Sequence, residues 1–427
     1  MLHLNRSTIA ILAGGFLLVV LVAVLSSASL AVGDSSGSRA AQAQGERPAA
    51  SAANADRGDA PQSTALKESM IGKPRYFKGS DGKVHIEYDL LSTSVFPVPV
   101  TLTKVQVRAG NGRKLLTLAG EALEARTQPL GSSGPPTREV AASGSVATMI
   151  DIEVPPGEVP KRLTHRIAYK LPPDAPEILK ALIGGLTIDG PKADVPHRPA
   201  TVVAPPLSGK GWWNGNGCCE VTPHRSFRLA SNGLRIVKPE TFAIDWLKLG
   251  QDAAGNTTTF AGDPDDNRSY FAFGAKVRSA TDGVVVDVRD GLPNEKPNID
   301  PPENVRLPLD VGGNHVAVRV RPGVYAFYGH MQPHSIAVEE GERVEVGQRL
   351  GRLGSSGNST QPHLHFDLSD GPDPLTSNSI PHVFDRYTWA GEVDVEGATD
   401  TDFPVRGKPR PEQKTYPLYP SVVDFRR

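Results

Sequence analysis

Residues 328–366 read YGHMQPHSIAVEEGERVEVGQRLGRLGSSGNSTQPHLHF. Apolar positions here come in short runs, RVEVGQRLGRLG and HLHF, with glycines between them. Runs this short, bounded by turn formers, predict strands joined by hairpins. Side chains alternate faces along a strand, so His363 and His365 project to one face and Leu364 and Phe366 to the other. Two imidazoles side by side can share one metal, or one can bind metal while its neighbour moves a proton. His330 closes the aromatic run YAFYGHM, where a strand delivers a side chain to a cleft.

The same texture extends upstream through FAFGAKVRSA, GVVVDVRD and NHVAVRVRPG, and it predicts one antiparallel β-sheet domain over residues 211–392. The Pro- and Asn-rich segment between Gly291 and Gly313 reads as a long loop, a candidate groove wall. Residues 393–427, rich in Pro and charge, read as an irregular tail. A Pro-rich joint, HRPATVVAPPLSG, covers residues 197–209. Before it, VHIEYDLL, VPVTLTKVQVRA, KLLTLAG, ATMIDIEV and LTHRIAYKL predict an antiparallel β-sandwich over residues 67–200, with one helix at PEILKALIG. The chain has 43 Gly and 38 Pro among 427 residues and few aromatics, which also favours an all-β fold with many turns.

At the N-terminus, Arg6 precedes an apolar run from Ile9 to Leu25 and then SSASLA. Residues 1–31 therefore predict either a cleaved signal peptide or a retained membrane anchor, and export in both cases. Any membrane contact is expected through this segment alone. Residues 32–66, rich in Ala, Ser, Gly, Gln and Pro, read as a disordered tether. A net charge of -1 offers no basic surplus for a nucleic-acid partner. The two cysteines, Cys218 and Cys219, are adjacent. Neighbouring residues rarely meet disulfide geometry, so two packed thiols, or pairing with another chain, are expected in preference to a vicinal bridge, and a zinc role for the pair is conceivable.

Asp245 lies in FAIDW, a carboxylate in an otherwise apolar run. A buried carboxylate needs partners, and a metal or a capped turn would serve. His224, in PHRSF, is a further candidate. Together these elements resemble the lysostaphin- and LytM-type zinc endopeptidases of bacterial cell walls. The resemblance runs from Gly211 to about Trp389 and rests on the quoted 328–366 stretch and on FGAKVRSATDGVVVDV. It implies an antiparallel sheet with a narrow groove, a zinc cofactor and a peptidoglycan peptide as substrate. It also implies that His365 and Asp245 ligate zinc and that His330 and His363 are catalytic.

The chain departs from that family at one position. The family places a His four residues before the Asp, and here that residue is Thr241. His224 is the substitute expected, because a turn through LASNGL can fold HRSF back beside FAIDW. Catalytic zinc takes three protein ligands, which His224, Asp245 and His365 would supply. His315, His334, His85 and His165 are expected to be packed or solvated. Absence of a His at 241 leaves open a catalytically inactive relative that binds or activates other wall hydrolases. The runs VRSATDGVVVDV and VEEGERVEVGQRLGRLG also resemble half-motifs of biotinyl and lipoyl carriers, but no Met-Lys attachment turn lies between them.

Overall fold

A computed structural model describes residues 62–131, 134–300 and 302–426. The segment 1–31 and nearly all of the expected tether lie outside the described residues. What is described is almost entirely strand and turn, as the short apolar runs require.

The N-terminal unit consists of two antiparallel sheets around one core. Leu66–Lys78, Val84–Ser94 and Ser145–Val154 are consecutive neighbours in the first sheet, and Val100–Ala109 with Arg162–Lys170 are the middle of the second. Along Val84–Ser94, Ile86, Tyr88 and Leu90 enter this core. The alternate residues Glu87 and Asp89 face the other way, as a period of two demands. PEILKALIG supplies the helix Glu177–Leu182, in agreement with its pattern.

Among the described residues, the second unit is built on an 11-stranded sheet. Val324–Met331, Leu364–Ser369, Ile244–Lys248 and Gly209–Asn214 are consecutive neighbours in it. Trp246, Leu364 and Phe366 are fully buried on its packed face. Two expectations fail here. The 393–427 segment is not irregular, because Ser421–Phe425 lies inside the sheet between Gly209–Asn214 and Tyr387–Val393. Val422, Val423 and Phe425 make that strand, and the Pro- and charge-rich surroundings hide it in the sequence. Cys218 and Cys219 form a vicinal disulfide and are not free thiols. The peptide bond between them is cis, which brings their Cα atoms to 3.1 Å.

The two units are joined by packing as well as by the chain. Phe77, on the N-terminal strand Leu66–Lys78, is buried in the core of the second unit. Its ring meets Phe242 at 5.7 Å and Tyr416 at 5.0 Å between centroids. Beside it, Glu87 and Asp89 receive three cations from the second unit. Arg225 contacts Asp89 at 2.6 Å, Arg228 contacts it at 2.7 Å, and Lys238 at 3.2 Å. Arg225 and Lys238 also pair with Glu87. Both carboxylate side chains are fully buried. Burial pushes Glu87 up to about 7 against the pull of Arg225 and Lys238. Burial acts on Asp89 in the same sense, but Arg225, Arg228 and Lys238 outweigh it and hold Asp89 well below the usual carboxylate range.

Two outcomes follow from this packing. Phe77→Ala removes an aromatic ring from the second core and is expected to cost about 3–5 kcal/mol, measured by chemical unfolding of the whole chain. A cost near zero would show that the units do not share that core. His85 contacts Asp151 at 3.0 Å. Burial opposes its charge, but Asp151 and Asp81 prevail and raise it to about 9. A raised folded-state pKa stabilises fully below the unfolded value of about 6.5, and that contribution is lost as pH rises through 9. The stability gap between the parent and His85→Gln should therefore shrink between pH 6 and pH 10. A gap that stays constant in urea unfolding across that range would refute it.

Candidate metal centre

Three adjacent strands and one short turn build the site. Ile244–Lys248 pairs with Leu364–Ser369 so that Asp245 stands directly opposite His365, while Ile244 opposes Phe366 and Trp246 opposes Leu364. This register sends every large apolar side chain to the core and both polar ones to the groove. His365 Nδ1 meets Asp245 Oδ1 at 3.0 Å. His363 Nε2 approaches the same oxygen at 3.4 Å.

His224 arrives from outside the sheet, on the four-residue helical turn Pro223–Ser226. Pro223 begins the turn, and the Thr222 hydroxyl accepts from the Arg225 amide at 3.3 Å, a helix N-cap. The chain then reverses through the hairpin Leu229–Ser231 and Arg235–Val237. Asn232 and Gly233 form its tip with φ of 51° and 67°, the pair of positive angles a tight hairpin turn needs. His224 Nε2 thereby comes to 3.1 Å from Asp245 Oδ2. Its Nδ1 faces the Ala243 carbonyl at 3.3 Å. Donor atoms of His224, Asp245 and His365 all lie within 4.8 Å of one another, and all three residues are buried. These three could hold one metal ion.

His330 and His363 stand beside that triad, with ring centroids 4.6 Å apart. The Nδ1 atoms of His330 and His363 each lie 2.8 Å from a backbone carbonyl, that of Ser356 and that of Gln361 respectively. Donation there fixes the His330 tautomer and leaves its Nε2 as the acceptor nitrogen, whereas Nε2 of His363 faces the Asp245 carboxylate and donates towards it. His330 has a φ of 58°, the left-handed region that a side chain other than glycine seldom adopts and that clusters at working sites. The loop carrying Ser356 is held by Gly313 and Gly357, where a Cβ on either would collide with the facing backbone.

The electrostatics follow from burial and from Asp245. Burial opposes charge on His224, but Asp245 and then Glu240 outweigh it and raise the ring to about 9. Burial likewise opposes charge on His363, and Asp245 raises it. Among the described residues His330 has no such carboxylate contact. Burial, reinforced by His363 and His365, holds it well below the usual imidazole range. Burial alone would raise Asp245, but His224 and His363 hold it well below the usual range.

The groove at the site is lined by Pro308, Leu309 and Val311 from the long loop and by Pro374 and Leu375. All five candidate residues, His224, Asp245, His330, His363 and His365, line it. Thr241 is buried with its hydroxyl unpartnered among the described residues. His315 also borders the groove, but it is tied to Asp287 at 3.1 Å and to the Gly313 carbonyl at 2.8 Å. Two groove residues carry no sequence signal. Asn216 donates to Asp245 Oδ2 at 2.7 Å, and Glu240 lies 3.9 Å from His224. Asn216 sits in a Gly-rich turn and Glu240 in a Pro-containing loop, where polar residues are ordinary.

Residues 270–376 match the model of Peptidase family M23. That span includes His330, His363 and His365 and begins after His224 and Asp245. Over 56 residues the chain is 43% identical to glycyl-glycine endopeptidase ALE-1 of Staphylococcus capitis, covering 13% of this chain and 15% of that protein. Over 56 residues it is 41% identical to peptidoglycan DD-endopeptidase ShyC of Vibrio cholerae, covering 13% of this chain and 12% of that protein. The chain thus spans under a sixth of the length of either relative. A solved catalytic domain of the prophage-encoded M23 protein EnpA from Enterococcus faecalis aligns at 19% identity with a TM-score of 0.24, over 43% of this chain and 93% of that one. Residues 270–376 therefore form a domain of Peptidase family M23.

Proposed function

We propose that this protein is a zinc-dependent endopeptidase that hydrolyses peptide bonds in bacterial peptidoglycan outside the cytoplasm. The observation that carries the reading is the convergence of His224, Asp245 and His365, with His330 and His363 in the same groove. The names of the two peptidase relatives support the substrate class. The donor set fits zinc. Two imidazoles and one carboxylate are borderline and hard donors of the kind a catalytic zinc site uses, and three ligands leave one position open. Tetrahedral ligands at about 2.0–2.1 Å sit about 3.3 Å apart, close to the 3.0 and 3.1 Å separations of Asp245 from His365 and His224.

When bound, zinc supplies a Lewis acid that polarises the scissile carbonyl and acidifies water. The chain's own residues do the rest. His330 is neutral, with Nε2 as its acceptor, and it takes the proton of the attacking water. His363, the more basic ring, carries a proton to the leaving amine. Asn216 fixes the Asp245 carboxylate by donating to Oδ2, so that the other oxygen serves His365. The groove walls hold the peptide extended across these groups.

One observation favours a second reading. Thr241 occupies the position where the resembling family has its first His, which suits an inactive relative that binds or activates other hydrolases. Metal analysis of the whole chain separates the two. The enzyme reading expects about one zinc per chain, with occupancy strongly reduced in His224→Ala, Asp245→Ala and His365→Ala. A parent protein that holds no zinc and releases nothing from purified peptidoglycan would establish the inactive reading. In the peptidoglycan assay, His330→Ala and His365→Ala should each abolish hydrolysis, while only His365→Ala depletes zinc. Full activity in His330→Ala would remove His330 from the chemistry.

A further inference from the structure

His224 is delivered by a short turn outside the sheet. The turn Pro223–Ser226 has four residues, and its buried side chains are His224 and Arg225. His224 enters the groove. Arg225 is its immediate neighbour and is committed to the N-terminal unit instead. Its guanidinium contacts Asp89 at 2.6 Å and also pairs with Glu87, and it donates to the Tyr88 carbonyl at 3.2 Å. Its side chain is 1% exposed, and those of Glu87 and Asp89 are 0% exposed. A planar guanidinium gripped by two carboxylates and a carbonyl fixes position and orientation together. A lone buried ligand on a short turn has no comparable restraint.

We propose that the N-terminal unit is a positioning element of the metal centre: Glu87 and Asp89, acting through Arg225, hold the turn that presents His224. This rests on the reading of His224 as a ligand. Glu87, Asp89 and Arg225 stand outside the His224, Asp245 and His365 triad and act on it only through the neighbouring His224. The arrangement also explains how a ligand drawn from 21 positions before Asp245 can be held as firmly as one on a sheet strand. The strand Val84–Ser94 supplies the rigidity that the turn lacks, because it is paired on both sides within its own sheet.

The test uses the whole chain, zinc alone as the probe, and competition against a chromogenic chelator. Arg225→Gln and Lys238→Gln each remove one of the three cations and leave two cations facing two carboxylates. Both are expected to lower thermal stability by similar amounts. Arg225→Gln should weaken zinc binding about tenfold or more, the scale of loss when a residue orienting a ligand is removed, and Lys238→Gln should stay close to the parent. Arg225→Lys, which keeps the charge, should recover part of the loss. If both glutamine variants lose zinc affinity only in step with stability, the cluster is merely structural and the proposal fails. Should Arg225→Gln not fold, Asp89→Asn serves in its place, and parent-like zinc affinity there overturns the proposal. His224→Ala keeps the two claims apart. Parent-like zinc binding in His224→Ala defeats the ligand reading itself, whereas zinc loss in His224→Ala with none in Arg225→Gln defeats the positioning role alone.

Discussion

The carboxylate of Asp245 lies in a strand flanked by Ile244 and Trp246, both fully buried, and a charge in such surroundings persists only when partners surround it. Four groups meet that need: His224 and Asn216 on one oxygen, His365 and His363 on the other. The rest of the site is arranged by the same requirement. The register with Leu364–Ser369 puts His365 opposite Asp245, and a slip of one residue would send the pair into the core and Trp246 or Phe366 into the groove. The turn bearing His224 has to come back to the other oxygen. His330 stands apart from the carboxylate, and burial, with His363 and His365 beside it, holds it well below the usual imidazole range.

The junction between the two units poses the same problem away from the groove. Five ionisable side chains meet there, and three of them are cations against two carboxylates. An assembly of this kind adds little net stability compared with an apolar filling of equal volume, since desolvation offsets the attraction. What it supplies is direction. A guanidinium has one way to face two carboxylates, whereas a leucine in the same space could settle in several.

Much of this was legible in advance. Short apolar runs with glycines between them dictated strands throughout, and the period of two put His363 and His365 on one face. The turn through LASNGL returned PHRSF toward FAIDW because Asn-Gly suits a tight reversal. The misses share a cause. Ser421–Phe425 is too short to stand out among prolines and charges, and its place in the sheet is decided by partners far away in the chain. Arg225 and Arg228 drew no reading at all, because nothing near them in the chain reveals that Glu87 and Asp89 lie opposite on a distant strand. Phe77 looks like an ordinary core residue of its own unit. The vicinal disulfide was discounted because neighbouring residues rarely meet disulfide geometry, yet Cys218 and Cys219 form one.

The strand Ser421–Phe425 has a consequence for the order in which the molecule assembles. It pairs with Gly209–Asn214 across more than 200 positions of chain, with Trp213 opposite Val422. Gly209–Asn214 is in turn the neighbour of the strand bearing Asp245. Contacts between such distant segments raise the contact order, and closing so long a loop costs entropy before any pairing repays it. The side of the sheet that supports the groove thus depends on one of the least local pairings in the fold. Until it forms, Gly209–Asn214 is an unprotected edge, open to pairing with the wrong chain.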